Sequence, residues 1–193
     1  MTSGRLVRLA TPDDAAACAA IYATYVERTA VSFELEPPDA DEMARRMART
    51  LARTPWVVVE VDGAVRAYAY AGRHRERPAY DWTAETTVYV EDGFGGQGLG
   101  RAAMEAVLDL VRRQGFHLAV AGVTLPNDAS TGLHLALGFR RVGEFEAIGW
   151  KFGAWHDVAW FALELAPREN EPAPLRPLEA AVAEWVAAGS REG

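Results

Sequence analysis

Hydrophobic and polar positions follow two different periods along the chain, and each period predicts one kind of element. Alternation of period two, rich in β-branched residues, predicts strands at 5–10, 56–61, 64–71, 83–90, 117–123, 139–149 and 155–165. Apolar residues three and four apart predict helices at 11–28, 39–53, 101–114 and 127–138. This order predicts an α/β (α+β) fold, in which a mixed twisted sheet of about six to seven strands is flanked by about four helices.

The same patterns divide the chain into a domain and a tail. The 193 residues are enough for one domain with a substantial core, which we place at 1–166. Residues 167–177 are rich in Pro, Glu and Arg and predict a linker, whereas 178–188 have the pattern of a helix. The tail 167–193 is therefore predicted as a Pro-rich linker with a C-terminal helix.

The composition limits which ligands and which cellular compartment the sequence predicts. A net charge of −7 and a pI of about 5.2 argue against nucleic-acid binding, which requires a basic face. No apolar run approaches the ~20 residues of a membrane span, and the first five residues form no apolar signal segment. The single cysteine, Cys18, excludes an internal disulfide and favours the reducing cytoplasm. The four histidines lack metal-ligand spacing, so no metal is expected.

A glycine-dense loop at 91–101 lies between a predicted strand and a predicted helix. Glycines allow the backbone to approach a ligand, and a helix N-terminus favours an anion, so the loop predicts a phosphate or pyrophosphate site. Gly93, Gly95 and Gly98 fit a dinucleotide fingerprint, but the next strand, which ends near Val123, lacks the acidic residue that would hold a ribose. The alternative is a shorter pyrophosphate loop, which reads Gly96-Gln97-Gly98-Leu99-Gly100.

The shorter loop resembles the acetyl-CoA loop of the GNAT family of N-acetyltransferases. Four further segments, at 80–90, 125–128, 134–139 and 155–158, resemble the phosphinothricin N-acetyltransferase subfamily, and the similarity covers 5–166. The resemblance implies a GNAT fold, a cytoplasmic homodimer and a role in detoxification. It also implies acetylation of the α-amino group of a small glutamate-like amino acid, such as phosphinothricin, methionine sulfoximine or methionine sulfone.

The resemblance and the loop together indicate how acetyl-CoA is held. Backbone N–H groups from the glycine loop are expected to bind the pyrophosphate, and the pantetheine arm is expected to pair with the strand 88–90 like an added strand. A backbone N–H near Val90 is the expected oxyanion donor. The predicted cofactor-binding residues are Val88, Tyr89, Val90, Gly96, Gln97, Gly98, Leu99, Gly100, Arg101 and Asn127.

Two residues are candidates for the chemistry. Glu85 shares a strand face with Thr87 and Tyr89, and the strand pattern alone favours a structural ion pair there. The resemblance assigns Glu85 as the general base, acting directly or through a water. His134 has the position of an idle helix histidine near a C-terminus, and the resemblance implies an acid or a substrate-orienting group.

A basic loop at 73–77 is expected by default to be a solvated surface loop. The resemblance instead assigns substrate binding to Phe33, Arg75, Arg77, Tyr80, Tyr89 and His134. The chain departs from the subfamily in having Gly95 where Gln or Arg is usual, Arg73 and His74 in place of a Pro-Trp pair, and Phe152 in place of a histidine.

The sequence therefore predicts an acetyl-CoA-dependent N-acetyltransferase that acts by direct transfer. An enzyme for another small amine and a non-catalytic acyl-CoA-binding module are the alternatives, and the longer fingerprint leaves a nicotinamide-dinucleotide enzyme as a third.

Overall fold

A computed structural model of the chain describes residues 4–167 and 171–189. Seven strands form one sheet in the order β1-β2-β3-β4-β5-β7-β6. The strands are β1 Arg5–Leu9, β2 Trp56–Val61, β3 Ala64–Arg73, β4 Thr83–Val90, β5 Leu118–Thr124, β6 Arg140–Lys151 and β7 Ala154–Glu164. The helices are α1 Ala15–Arg28, α2 Ala40–Leu51, α3 Leu99–Gln114, α4 Asp128–Ala136 and α5 Leu178–Ala187.

Local sequence signals explain where these elements begin and end. Thr11 and Asp14 form a capping box at the short 3-10 turn that leads into α1, and the Asp39 side chain accepts from the Glu42 N–H at the start of α2. Gly63, at φ 78°, closes the tight hairpin between β2 and β3.

The helices cover both faces of the sheet. On one face α1 and α2 pack through residues such as Tyr22, Met43 and Met47 against Tyr68 of β3. On the other face α3 packs on the sheet, and Ala181 of α5 lies in the same core as α3. We call these the α1/α2 face and the α3 face.

The sheet divides between β4 and β5. These strands are parallel and pair through only three residue pairs in the described chain, from Thr83 with Leu118 to Glu85 with Val120. Beyond Glu85, β4 stays paired with β3 as far as Val90, while β5 stays paired with β7. A cleft therefore opens in the middle of the sheet, and Glu85 lies at its fork.

The predicted fold class is confirmed, with small differences at element ends. Strand β3 extends to Arg73 because it stays paired with β4, and α3 starts at Leu99 because Gly98 is its N-cap. The predicted terminal helix is present as α5. The domain boundary at 166–167 stays a prediction, and residues 168–170 and 190–193 of the predicted tail lie outside the described residues.

Within residues 4–167 and 171–189, none of the helices has the length and apolar character needed to span a bilayer. The same ranges contain no group of three or more His, Cys, Asp or Glu side chains that could hold a metal ion.

Candidate active site

The open edge of β4 presents backbone groups to the cleft. The Tyr25 hydroxyl of α1 donates to the Val90 carbonyl at 2.6 Å and accepts from the Val90 N–H at 3.3 Å. Alternate residues of a strand direct their backbone groups to the same side, so Val88 faces the cleft as well. The backbone groups of Tyr89 point instead toward β3.

The predicted glycine loop leads from β4 into α3 at the mouth of the cleft. Gly96 and Gly98 have φ angles of 75° and 76°, the left-handed region that favours glycine. Because Gly98 is the N-cap of α3, the next N–H groups, of Leu99, Gly100 and Arg101, belong to the first turn and have no partner within the helix. These N–H groups, with the positive end of the helix dipole, suit a pyrophosphate.

Close packing between α3 and β4 also depends on glycine. A Cβ at Gly100 would lie 3.1 Å from Cγ2 of Val90 and 3.5 Å from Cγ2 of Val88. Since the helix start lies directly on the open strand, the pyrophosphate loop and the strand that would hold the pantetheine arm form one continuous surface.

This surface borders a cleft of about 490 Å³. Its walls come from α1, β4, the glycine loop, the start of α3 and the start of α4. The lining residues include Tyr25, Val88, Val90, Gly96, Gly98, Gly100, Arg101, Asn127 and Leu133. The volume and the exposed N–H groups fit the pantetheine and pyrophosphate of acetyl-CoA.

Asn127 is the N-cap of α4, and its Oδ1 accepts from the Ser130 N–H at 3.0 Å. The cap fixes the side chain at the wall of the cleft. Its Nδ2 is a donor that a cofactor carbonyl can use.

Glu85 lies at the fork on the α1/α2 face, one-third exposed, with a side-chain relative exposure of 34%. Its Oε2 is 2.9 Å from Nδ1 of His74, which follows the end of β3. The structure therefore gives the Glu85 carboxylate a hydrogen-bond partner, and it leaves the second carboxylate oxygen available beside the cleft.

His134 lies on the α3 face of the sheet, opposite Glu85. Its ring packs against Phe139 and Phe161 at centroid distances of 5.1 and 5.7 Å. Nδ1 is 2.8 Å from the Ser130 carbonyl, which can only accept, so Nδ1 carries the hydrogen and Nε2 has the lone pair. Burial lowers the pKa of His134, which keeps the ring neutral.

The predicted substrate residues divide between two loops and the core. Phe33 comes from the connection between α1 and α2 and faces His156, with ring centroids 6.2 Å apart. Tyr80 lies at the end of the β3–β4 connection, with its ring edge toward His74. The side chains of Arg75 and Arg77 are exposed on the same connection. Tyr89 is buried, packed between Tyr22 and Tyr25.

Lys151, the only lysine of the chain, fixes the loop that carries Phe33. Its Nζ donates to the Val26 carbonyl at 2.6 Å and to the Ser32 carbonyl at 2.7 Å. Burial lowers the pKa of this ammonium group, and the C-terminal end of α1 favours its charge. The Phe33 ring lies so close to β6 that a Cβ at Gly149 would clash with it.

A second cavity, of about 310 Å³, lies on the α1/α2 face. Gly72, which pairs with Glu85 across the β3–β4 ladder, is part of its lining. Arg46 donates to both carboxylate oxygens of Glu34 at its edge, at 2.7 and 3.1 Å. The cavity has room for a small amino acid.

Sequence reasoning missed two contacts of this site. His74 was noted only as a departure from the subfamily, and its pairing with Glu85 follows from the turn after β3. Tyr25 gave no signal beyond its place on an apolar helix face, because its contact with Val90 joins residues far apart in sequence.

Comparison with known proteins agrees with this geometry. Residues 7–160 match the family model described as an acetyltransferase (GNAT) domain. A phosphinothricin N-acetyltransferase of Streptomyces viridochromogenes is 41% identical over 172 residues, which are 89% of this chain and 92% of that protein. An L-methionine sulfoximine/L-methionine sulfone acetyltransferase of Salmonella typhimurium is 37% identical over 160 residues, 82% of this chain and 94% of that protein.

A solved structure shows the same fold with cofactor. The phosphinothricin acetyltransferase of Sinorhizobium meliloti, in complex with acetyl-CoA, has a TM-score of 0.83 at 29% identity, and the match covers 91% of this chain and 98% of that one. The chain belongs to the GNAT acetyltransferase family, and it is an N-acetyltransferase with acetyl-CoA as its donor. The resemblance to the phosphinothricin subfamily is confirmed.

Proposed function

We propose that the protein acetylates the α-amino group of a small glutamate-like amino acid, of the phosphinothricin, methionine sulfoximine or methionine sulfone type. The observation that carries this proposal is the position of Glu85 at the fork between β4 and β5. At this point the carboxylate of Glu85, which faces the side where the acceptor would bind, lies beside the edge of β4 that would hold the thioester of acetyl-CoA. The relatives named above act on amino acids of this type.

Acetyl-CoA supplies the acetyl group as a thioester, and the chain supplies the binding surface. The N–H groups from Gly96 to Arg101, including that of Gln97, would hold the pyrophosphate. Val88 and Val90 would pair with the pantetheine arm as a strand pairs with its neighbour, and Asn127 would bind the same arm. Tyr89 would keep this strand in place through its buried ring.

Glu85 would take a proton from the ammonium group of the acceptor, directly or through a water. A backbone N–H of β4 near Val90 would donate to the oxyanion as the carbonyl carbon becomes tetrahedral. His134, neutral and with its lone pair on Nε2, fits an orienting group better than an acid.

The transfer would be direct, from thioester to amine. Cys18 lies on the buried face of α1, and burial raises the pKa of its thiol to about 12. A thiol with that pKa is protonated near neutral pH and is a poor nucleophile. An acyl-cysteine intermediate is therefore not part of the proposal.

The anionic groups of the acceptor would bind the guanidinium groups of Arg75 and Arg77, because arginine binds carboxylates in a bidentate manner. Phe33 and Tyr80 would form the walls, and the cavity that Gly72 lines would take the side chain. His156 and Lys151 would act by holding the Phe33 loop.

A CoA-release assay across acceptors tests this function. The panel contains methionine sulfoximine, methionine sulfone, phosphinothricin, neutral amino acids, spermidine and an aminoglycoside. Turnover highest with the glutamate-like compounds supports the proposal, because the two arginines repel cations. Faster turnover of spermidine would indicate an enzyme for another small amine, and acetyl-CoA binding without any turnover would indicate a binding module.

We further propose a cytoplasmic homodimer that detoxifies such compounds. The edge strand β6, the turn after it and the start of β7 expose large apolar side chains, namely Val142, Phe145, Ile148, Trp150, Phe152 and Trp155. An exposed apolar edge is the kind of surface that a second copy covers. Light scattering of the native protein and of Phe145→Glu measures this, with a dimer expected for the first and a monomer for the second. A monomeric native protein would reject the dimer.

A further inference from the structure

The hydrogen bond between Glu85 and the β3–β4 connection follows from the geometry of the strands. Gly72 pairs with Glu85, and His74, two residues further on, directs its side chain to the same face of the sheet. Nδ1 of His74 lies 2.9 Å from Oε2 of Glu85. An ionised carboxylate can only accept, so Nδ1 carries the hydrogen and donates it. One carboxylate oxygen is therefore held by the imidazole, which leaves Oε1 for the acceptor.

The imidazole of His74 is itself held in place by its neighbours. Tyr80 and Trp160 approach the ring edge to face, at centroid distances of 5.8 and 5.7 Å, one from the β3–β4 connection and one from β7. The Arg75 guanidinium donates to the His74 carbonyl at 3.0 Å. The His74 side chain has a relative exposure of 18%, against 34% for Glu85, so the imidazole is the more enclosed partner. A ring fixed by packing can fix the more flexible side chain that it contacts.

Glu85 gains from such a partner because it lies at the fork of the sheet. The pairing of β4 with β5 ends at Glu85, so the neighbouring strand no longer confines its side chain. A glutamate side chain rotates about three bonds, and few of its orientations direct an oxygen to the nitrogen of a bound acceptor. A general base has to lie within hydrogen-bond reach of the proton that it takes, and a third group often orients it. A hydrogen bond to Oε2 selects the orientation before the acceptor binds.

We propose that His74 is a positioning residue of this acetyltransferase, and that its Nδ1–H holds the Glu85 carboxylate in the orientation that takes the proton from the acceptor. The proposal rests on the proposed function of Glu85 as general base. His74 acts through Glu85, so its role requires neither contact with the acceptor nor transfer of the proton to the imidazole. The subfamily usually has tryptophan here, which also carries a ring N–H donor, so the departure changes the ring and keeps a donor.

The kinetic test compares His74→Asn with His74→Leu, two replacements of nearly the same shape. Asparagine has an N–H donor and leucine has none, and the asparagine Nδ2 occupies the position of Nδ1 in histidine. His74→Leu should lose on the order of 10–10²-fold in kcat, with KM for acetyl-CoA unchanged. His74→Asn should keep most of the native kcat. The control is His117→Leu, which removes a partly exposed imidazole near Glu164 and should keep the native kcat.

Two further measurements separate positioning from a purely structural role. In the Glu85→Gln background, His74→Leu should cause little further loss of kcat, because no carboxylate base is left to orient. Nitrogen-15 NMR of the imidazole groups, at a pH where they are neutral, should show the His74 hydrogen on Nδ1. The His74 signal is identified by its absence from the spectrum of His74→Asn.

Equal kcat values in His74→Leu and His74→Asn would overturn the proposal, and so would additive losses in the double variant or a neutral His74 with its hydrogen on Nε2. If His74→Leu fails to fold, as judged by circular dichroism, the position of the hydrogen decides alone. Native kcat in Glu85→Gln, or no turnover by the native enzyme on any amino acid of the panel, would reject the proposed function and this role with it. A slow Glu85→Gln beside equal His74 variants would reject the role of His74 alone, so the two failures are distinguishable.

Discussion

The Tyr25 hydroxyl makes two hydrogen bonds to Val90, donating to its carbonyl at 2.6 Å and accepting from its N–H at 3.3 Å. Both backbone groups lie on the open edge of β4, where the proposed function places the pantetheine arm. The Tyr25 side chain thus provides hydrogen-bond partners for the Val90 backbone groups in the free protein, and it competes with the cofactor for these groups.

This competition predicts opposite effects of Tyr25→Phe on stability and on binding. Loss of the hydroxyl should lower the free energy of unfolding by about 0.5–1.5 kcal/mol. It should also lower the Kd for acetyl-CoA by up to about tenfold, because the cofactor no longer displaces a hydrogen-bonded group. Chemical denaturation and calorimetric titration measure the two effects.

Tyr22→Phe is the matched control for this prediction. It removes a hydroxyl from the same helix, one that contacts Ser32 and Glu34 and not Val90. It should cost stability without tightening the cofactor. Weaker acetyl-CoA binding by Tyr25→Phe would show that the hydroxyl helps to hold the cofactor.

Gly98→Ala tests the glycine loop. Its φ of 76° costs an alanine about 1–2 kcal/mol, and relief of this strain would move the N–H groups that face the pyrophosphate. KM for acetyl-CoA should rise at least about tenfold, while KM for the amino acid changes little. Gly63→Ala carries the same strain at φ 78° in the β2–β3 hairpin, so it should lose similar stability and keep its KM for acetyl-CoA. Equal KM values for the two variants would contradict the assignment of the loop.

His134 predicts a pH dependence of stability. Burial lowers its pKa in the folded protein, so the unfolded chain binds this proton more readily. The contribution of His134 to the free energy of unfolding should therefore be constant at high pH. It should become destabilising as the pH falls from about 6.5, the pKa of histidine in the unfolded chain, to the lower pKa in the folded protein. The decline in unfolding free energy below that pH should be shallower in His134→Phe than in the native protein. An identical decline in His134→Phe would show that the ring titrates normally.

Arg77→Ala tests the expected recognition of an anionic acceptor. Loss of the guanidinium should raise KM for methionine sulfoximine by the equivalent of about 2–5 kcal/mol, if the contact forms in a closed site. KM for acetyl-CoA should stay nearly the same. Arg112→Ala, an exposed arginine on α3, provides the control. Unchanged kinetics in Arg77→Ala would show that the basic loop at 73–77 is a solvated surface loop and does not bind the acceptor.

Local patterns were enough to predict most of the fold. Period-two alternation located β4 at its observed ends, and the Asp62–Gly63 turn located the β2–β3 hairpin. Ends fixed by packing were missed, as at Leu99, whose side chain is buried in the core. The pairing of β4 with its neighbouring strands, and the split between β4 and β5, depend on contacts between residues far apart in sequence. A local hydrophobic pattern carries no information about such contacts.

The candidate site divides in the same way. The glycine loop is local and its chemistry could be predicted, whereas the assignment of Glu85 as base depended on family resemblance. The His74 contact required the path of the chain after β3, and the buried, neutral state of His134 required its packing on Phe161. Roles that depend on side-chain environment therefore needed the structure.

The pH dependence of Glu85→Gln tests the central claim most directly, that an amine is acetylated with this carboxylate as general base. The measurement is kcat/KM for methionine sulfoximine from about pH 6 to about pH 9, with KM for acetyl-CoA as the binding control. We expect a loss of about 10²–10⁴-fold below neutral pH that shrinks as more substrate arrives already deprotonated, with KM for acetyl-CoA unchanged. A mutant profile with the native shape and height would contradict the account and leave Glu85 only as the hydrogen-bond partner of His74.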